Sequence, residues 1–186
     1  ISGATLVGLE SGDDVYLDQL QGDFNDKNTG TAKSVTASLT INGNDAANYS
    51  LTQPQGLTAN IMKRQLDLSN FSADSKTYDG TTDVSDSNFA DNRVTGDELT
   101  FSYDVTFEDK HVGENKNVSF INIGISGGTD AVNYSLVSTE GTTTANITKR
   151  SLDVTAQVAS RIYDGTTNSA VSPVVDELQT GDSIAT

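Results

Sequence analysis

Leu99-Thr100-Phe101-Ser102-Tyr103-Asp104-Val105-Thr106-Phe107 alternates without a break. Leu99, Phe101, Tyr103, Val105 and Phe107 fall on one face of an extended chain, and Ser102, Asp104 and Thr106 on the other. Successive strand side chains point to opposite faces, so a period of two marks a strand with one face buried and one wet. The same period carries Val35, Ala37, Leu39 and Ile41 opposite Ser34, Thr36, Ser38 and Thr40, and Leu152, Val154 and Ala156 opposite Ser151, Asp153 and Thr155. Thr, Val, Ile and Tyr suit a pleated surface, and a Thr-rich outer face fits an antiparallel sheet with one side in water. Gly43-Asn44-Asp45, Gly113-Glu114-Asn115 and Gly127-Gly128-Thr129-Asp130 punctuate these runs as turns do. No segment carries a helical stripe, so the sequence predicts an all-β fold.

In Val118-Ser119-Phe120-Ile121-Asn122-Ile123-Gly124-Ile125 the apolar phase slips between Phe120 and Ile121. One extra residue that restores the inward face downstream is what a β-bulge does. The sequence predicts a bulge at Phe120/Ile121 that the related stretch 35–41 lacks.

That relation is part of a repeat. Tyr78-Asp79-Gly80-Thr81-Thr82 returns as Tyr163-Asp164-Gly165-Thr166-Thr167, 85 residues on. Gly12-Asp13-Asp14-Val15 matches Gly96-Asp97-Glu98-Leu99, and Phe24-Asn25-Asp26-Lys27 matches Phe107-Glu108-Asp109-Lys110. Asp45-Ala46-Ala47-Asn48-Tyr49-Ser50-Leu51 matches Asp130-Ala131-Val132-Asn133-Tyr134-Ser135-Leu136. Thr58-Ala59-Asn60-Ile61 and Lys63-Arg64 match Thr144-Ala145-Asn146-Ile147 and Lys149-Arg150. A period of this size is long for a solenoid and sufficient for a small domain. The expected organisation is a repeat without its leading strands at 1–64, a complete repeat at 65–149, and the leading part of another at 150–186, as in a stretch cut from a longer array. Each repeat is expected to be a small antiparallel β-sandwich, immunoglobulin-like, of about 85 residues. Tyr49 and Tyr134 then stand where such sandwiches carry a tyrosine whose hydroxyl bonds back to the preceding loop. The other reading of both is an ordinary tyrosine at the edge of the core.

Formal net charge is −15, with 11 Lys and Arg against 26 Asp and Glu. Nucleic acid and anionic lipid both call for a basic surface, so neither is expected as a partner. No apolar run reaches the roughly 20 residues of a membrane-spanning helix. Cysteine is absent, which removes disulfides and thiol chemistry. His111 is the one histidine, and its counterpart is Asn28, so the repeat does not need an imidazole there. Ser-His-Asp catalysis and a zinc site both lack their ingredients, and no cleft is expected for a carboxylate pair. The chain reads as a non-enzyme.

Carboxylates abound, and Asp79, Asp97, Asp109 and Asp164 are the candidates for oxygen ligation of calcium at repeat junctions. No segment matches a known calcium loop, and loop aspartates commonly bond their own backbone. Tyr78-Asp79-Gly80 and Tyr163-Asp164-Gly165 are read in the same way: Gly supplies a positive φ, Asp accepts backbone hydrogen bonds, and Tyr lays its ring on the sheet edge. Asn48-Tyr49-Ser50, Asn133-Tyr134-Ser135 and Asn146-Ile147-Thr148 match the N-glycosylation triplet, but they fall in or beside expected strands and are read as chance.

The Tyr-Asp-Gly-Thr-Thr signposts, the Phe-x-Asp-Lys-x-x-Gly turn, the Asn-Tyr-Ser-Leu strand and the closing Ala-Asn-Ile-x-Lys-Arg-x-Leu together resemble the YDG-type repeats of large bacterial surface proteins, including haemagglutinin-like adhesins. That resemblance implies extracellular display at the cell surface and a place in a stalk. The expected role is a spacer that projects a distal binding domain, with neighbouring repeats as its partners. The alternatives are loops that bind a glycan or protein of a host or bacterial surface, with Tyr103 as a platform if it is exposed, or an accessory region of a secreted carbohydrate-active enzyme. The two outer parts of the array are complementary, so copies of the chain are also expected to join head to tail by donating strands.

Overall fold

The computed structural model describes residues 4–168 and 171–184. The outermost residues of the two outer repeats, and 169–170, lie outside the described residues. The chain is all-β: its regular elements are strands and two short 3-10 turns, at Ala46–Asn48 and Ala131–Asn133, with no α-helix among the described residues. Packing divides it into two compact units. One comprises 1–65 with 95–100 and 127–135; the other comprises 66–94, 101–126 and 136–186. This partition differs from the sequence repeats.

In the first unit, strands β1 (Tyr16–Phe24), β2 (Gly30–Asn42) and β3 (Thr58–Ile61) form an antiparallel sheet in chain order. The β1–β2 ladder runs from Phe24 opposite Val35 to Leu20 opposite Leu39, so the alternation of 35–41 is realised as expected. Ala37 and Leu39 are buried. The ladder breaks once, on β1, where Asp18 is inserted between the pairs Leu17–Ile41 and Gln19–Thr40.

The second unit is built more heavily. Strands β6 (Lys76–Thr77), β11 (Gly141–Thr148), β9 (Gly113–Gly127) and β8 (Thr100–Phe107) lie side by side in that order, β6 parallel to β11 and β9 antiparallel to it. A ribbon of β5 (Leu68–Ala73) and β7 (Ser87–Asp91) packs its apolar residues onto this sheet. Phe107, Val118, Phe120, Ile123, Ala145 and Ile147 form the buried cluster. Phe120 is at its centre, with ring centroids 5.0 Å from Phe71 and 5.6 Å from Tyr103. Such pairs contribute beyond the area they bury. Gly141 keeps room for Phe71: a Cβ there would stand 2.2 Å from the ring. The first-repeat residue corresponding to Phe120 is Ala37, which explains much of the difference in core size.

Shorter strands complete the fold: β4 (Arg64–Leu66) pairs with β10 (Tyr134–Leu136), and β12 (Val154–Thr155) with β13 (Val174–Val175). The irregularity in β9 is present one residue beyond the expected place. The ladder with β11 runs unbroken from Lys116–Ala145 to Phe120–Gly141 and ends there. Ile121 and Asn122 then both face outward, Asn122 at φ 56°, before Ile123 returns to the core. Asn tolerates the left-handed region better than most side chains, and its amide donates to Asp104 at 2.7 Å.

The sheets therefore have two to four strands each. The Tyr49 and Tyr134 hydroxyls donate to carboxylates 36 and 37 residues upstream, and the Tyr49 hydroxyl also accepts from the Glu10 N–H at 2.9 Å.

Candidate functional site

The polar motifs that recur in the sequence build recurring knots. The first joins the Gly-Asp turn to the Asp-Ala-x-Asn-Tyr segment. Tyr49 donates to Asp13 at 2.6 Å and Tyr134 to Asp97 at 2.7 Å. Asp45 accepts from the Asp14 N–H at 2.9 Å, and Asp130 from the Glu98 N–H at 3.1 Å; in return the Asp45 and Asp130 N–H groups donate to the Asp14 and Glu98 carbonyls. Gly43 and Gly128, at φ 128° and 106°, make this approach possible. A Cβ on either would lie 2.1 Å from the Asp14 or Glu98 carbonyl oxygen.

The second knot closes the Phe-x-Asp-Lys-x-x-Gly turn. Asp26 accepts from the Asn28 N–H at 2.8 Å and pairs with Lys33; Asp109 accepts from the His111 N–H at 2.7 Å and from Lys116 at 2.7 Å. The lysine ammonium is the main cause holding the Asp26 and Asp109 carboxyls below the usual value, and Asp109 in turn raises Lys116. Just beyond the turn, two residues of the long strand oppose one residue of its neighbour. Ala32 and Asn115 sit there at φ 50° and 51°, and their N–H groups are capped at 2.8 Å by the side-chain carbonyls of Asn60 and Asn146. These are bulges whose freed donor is satisfied by the Asn of Thr-Ala-Asn-Ile.

The third knot is the Tyr-Asp-Gly-Thr-Thr loop. Lys76 reaches Asp79 at 2.9 Å and the Thr81 carbonyl at 2.9 Å, while Asp79 accepts from the Thr81 N–H at 2.9 Å. Lys76 is the largest cause holding the Asp79 carboxyl down at about 2. Arg161 takes the place of Lys76 in the next copy, pairing with Asp164 and with Thr166 at 2.8 Å. Gly80 and Gly165 share a positive φ, 82° and 78°. The tyrosines part company. Tyr78 is partly buried, its N–H donating to the Thr148 carbonyl at 2.9 Å and its hydroxyl to Asp182 at 2.8 Å, whereas Tyr163 is 92% exposed.

A fourth contact links one repeat to the next, twice. Within the first unit, Lys27 reaches Asp97 at 3.2 Å and Asp130 at 2.6 Å; Asn133 accepts from the Thr29 N–H at 2.8 Å. Lys27 is the chief cause holding the Asp130 carboxyl low. Within the second unit, Lys110 reaches Asp182 at 3.3 Å. Lys110 is the counterpart of Lys27, and Gly181-Asp182 the next counterpart of Gly96-Asp97. The lysine of Phe-x-Asp-Lys therefore pairs with the Gly-Asp carboxylate of the following repeat in both places.

The calcium candidates do not come together: Asp97 is in the first knot, Asp109 in the second, and Asp79 and Asp164 in the two copies of the third, each facing a cation or backbone donor of the chain. No group of three or more His, Cys, Asp or Glu converges among the described residues. His111 is exposed on a turn. Tyr103 is no exposed platform: its ring packs on Phe89 and Phe120, and its hydroxyl donates to the Ser87 carbonyl at 3.1 Å. Sequence reasoning missed Asn60 and Asn146, Asp45 and Asp130, and Lys76 with Arg161 as the pivots of the knots. The available signal was their recurrence at matching offsets.

The YDG domain profile matches residues 1–56 and 62–145, most of the chain. The chain belongs to the YDG domain family. The match takes in both copies of the knot that joins the Gly-Asp turn to the Asp-Ala-x-Asn-Tyr segment, and the first copy of the Tyr-Asp-Gly-Thr-Thr loop. No curated protein and no solved structure matches the chain at a significant level.

Proposed function

We propose that this YDG chain is a spacer: a structural, non-catalytic stretch of tandem β-sandwich repeats in a large extracellular adhesin, holding a distal binding domain away from the cell surface. The observation that carries this reading is the doubled contact from Lys27 to Asp97 and from Lys110 to Asp182. A module selected for binding keeps polar groups free for its ligand. Here the recurring carboxylates and ammoniums answer one another, and the same answer joins successive repeats. The direct passage from β11 through Lys149-Arg150 into the following residues, without a Gly/Ser or Pro linker, supports a stiff connection.

Small-angle scattering on the chain tests this. A compact globule of this length has a radius of gyration of about 16 Å. The spacer reading expects a clearly larger value, with a distance distribution skewed as a rod's is. A value at the compact figure overturns it.

A further inference from the structure

Asn42-Gly43 is the one asparagine–glycine pair in the sequence. Asn42 ends β2, and Gly43 opens the turn that enters the first knot. Asn42 is exposed, and its side-chain carbonyl accepts from the Gly43 N–H at 2.8 Å. The carbonyl carbon is one bond from that oxygen. A turn about χ2 therefore sets it against the Gly43 nitrogen, the approach that closes a five-membered ring. Gly43 has no Cβ to obstruct the closure.

Similar dipeptides elsewhere are arranged differently. Asp79-Gly80 and Asp164-Gly165 aim their carboxyls past the glycine, at the N–H groups of Thr81 and Thr166, both at 2.9 Å. Lys76 for Asp79, and the Thr166 N–H for Asp164, are the chief causes that keep these carboxyls low and ionised, and a carboxylate resists a nucleophile. Asn88 supplies the opposite comparison. It too accepts from the N–H of its successor at 2.8 Å, but that successor is Phe89, inside β7, with its ring packed on Phe71 and Phe101. The second repeat has Gly127-Gly128 in place of Asn42-Gly43, so it carries no amide side chain there.

We propose that Asn42-Gly43 is a site of spontaneous covalent modification, at which the amide is lost and isoaspartate forms, loosening the first knot of the first repeat. The Gly43 N–H gives its proton to hydroxide, and the nitrogen bonds to Asn42 Cγ. The Cγ–Nδ2 bond breaks, and Nδ2 leaves as ammonia after taking a proton from water. Water then opens the succinimide. Opening at Cγ gives aspartate; opening at the main-chain carbonyl of residue 42 gives isoaspartate, whose main chain runs through Cγ and is one methylene longer. The longer chain does not fit. Asn42 is held by its pairing with Tyr16, and a Cβ on Gly43 would already stand 2.1 Å from the Asp14 carbonyl oxygen. A methylene inserted between these two fixed points displaces Gly43, and with it the hydrogen bonds between Asp14 and Asp45. The second repeat keeps its own. The inference does not rest on the spacer reading.

The whole chain, aged in mildly alkaline buffer, tests it. Peptide mass mapping with an isoaspartate-specific methyltransferase assay should find isoaspartate at position 42 before any other asparagine has changed, Asn88 included, at a rate that rises with pH. Asn42→Gln, which would have to close a six-membered ring, should stay unmodified at that position. Hydrogen exchange at the Asp14 and Asp45 N–H groups should be about two- to tenfold faster in the isoaspartate fraction, as the loss of one such hydrogen bond implies, with Glu98 and Asp130 unchanged. Modification of Asn42 no sooner than Asn88, or at a rate indifferent to pH, overturns the site. Isoaspartate at position 42 with unaltered exchange overturns the loosening.

Discussion

The first and second repeats spell out the same motifs and differ in what encloses them. In both, the Gly-Asp turn is tied to its tyrosine, the bulge N–H is capped by the Asn of Thr-Ala-Asn-Ile, and the Phe-x-Asp-Lys turn is closed by a lysine. The second repeat adds a ribbon with Phe71 and Phe89 and a short strand with Leu66. The knots therefore follow from the motifs that both repeats share, while the apolar interior depends on residues from the leading part of a repeat. Hydrogen bonds set the shape of the repeat; burial supplies most of its stability.

The largest test of this contrast is Phe120→Ala, which installs at the centre of the second core the residue that the first repeat already has at Ala37. Removing a fully buried phenylalanine is expected to cost about 3–5 kcal/mol, read by urea unfolding. A loss below about 1 kcal/mol would mean that the aromatic cluster is not what distinguishes the repeats. Leu66→Ala comes next, at about 2–5 kcal/mol. Hydrogen exchange at Tyr134, Ser135 and Leu136 should then accelerate toward the rates at Tyr49, Ser50 and Leu51. Unchanged protection would separate the β10 ladder from the leucine.

Removing a phenol hydroxyl is expected to matter less. Tyr134→Phe should cost about 0.5–1.5 kcal/mol, and Tyr49→Phe less, because Tyr134 is buried and Tyr49 is partly open to water. An equal loss at both sites would show that the enclosure around Tyr134 adds nothing to its bond with Asp97. The smallest effect is in the loops with Asp79 and Asp164. Both carboxyls lie below their ordinary value, Asp79 chiefly through Lys76 and Asp164 chiefly through the Thr166 N–H. A lowered folded value means that the contribution is whole above the ordinary 3.8 and fades as pH falls from there; for Asp79 it fades through about 2. Carboxyl NMR titration should place Asp79 below Asp164, and an Asp79 midpoint near 4 would show that the ammonium does not engage it.

Much of this was legible in the sequence. The alternation in 99–107 names β8 and its inward face, and the phase slip after Phe120 announces the bulge to within one residue. The period places every knot twice. What was hidden was long-range. Arg64-Gln65-Leu66 is too short to show a period, so its pairing with β10 leaves no trace in the pattern. Lys27 is an ordinary turn lysine until Asp97, 70 residues away, is brought beside it. The tyrosines invited an immunoglobulin reading because their neighbours fit; their true acceptors belong to a turn that no local window connects to them.

The forward reach of Lys27 and Lys110 has a genetic corollary. The copy at 65–149 carries both the ammonium that extends to its successor, Lys110, and the carboxylate that receives its predecessor, Asp97. A duplication in frame brings a finished joint with it, and a deletion of one copy leaves its two former neighbours already matched. A change in copy number therefore calls for no compensating substitution at these joints.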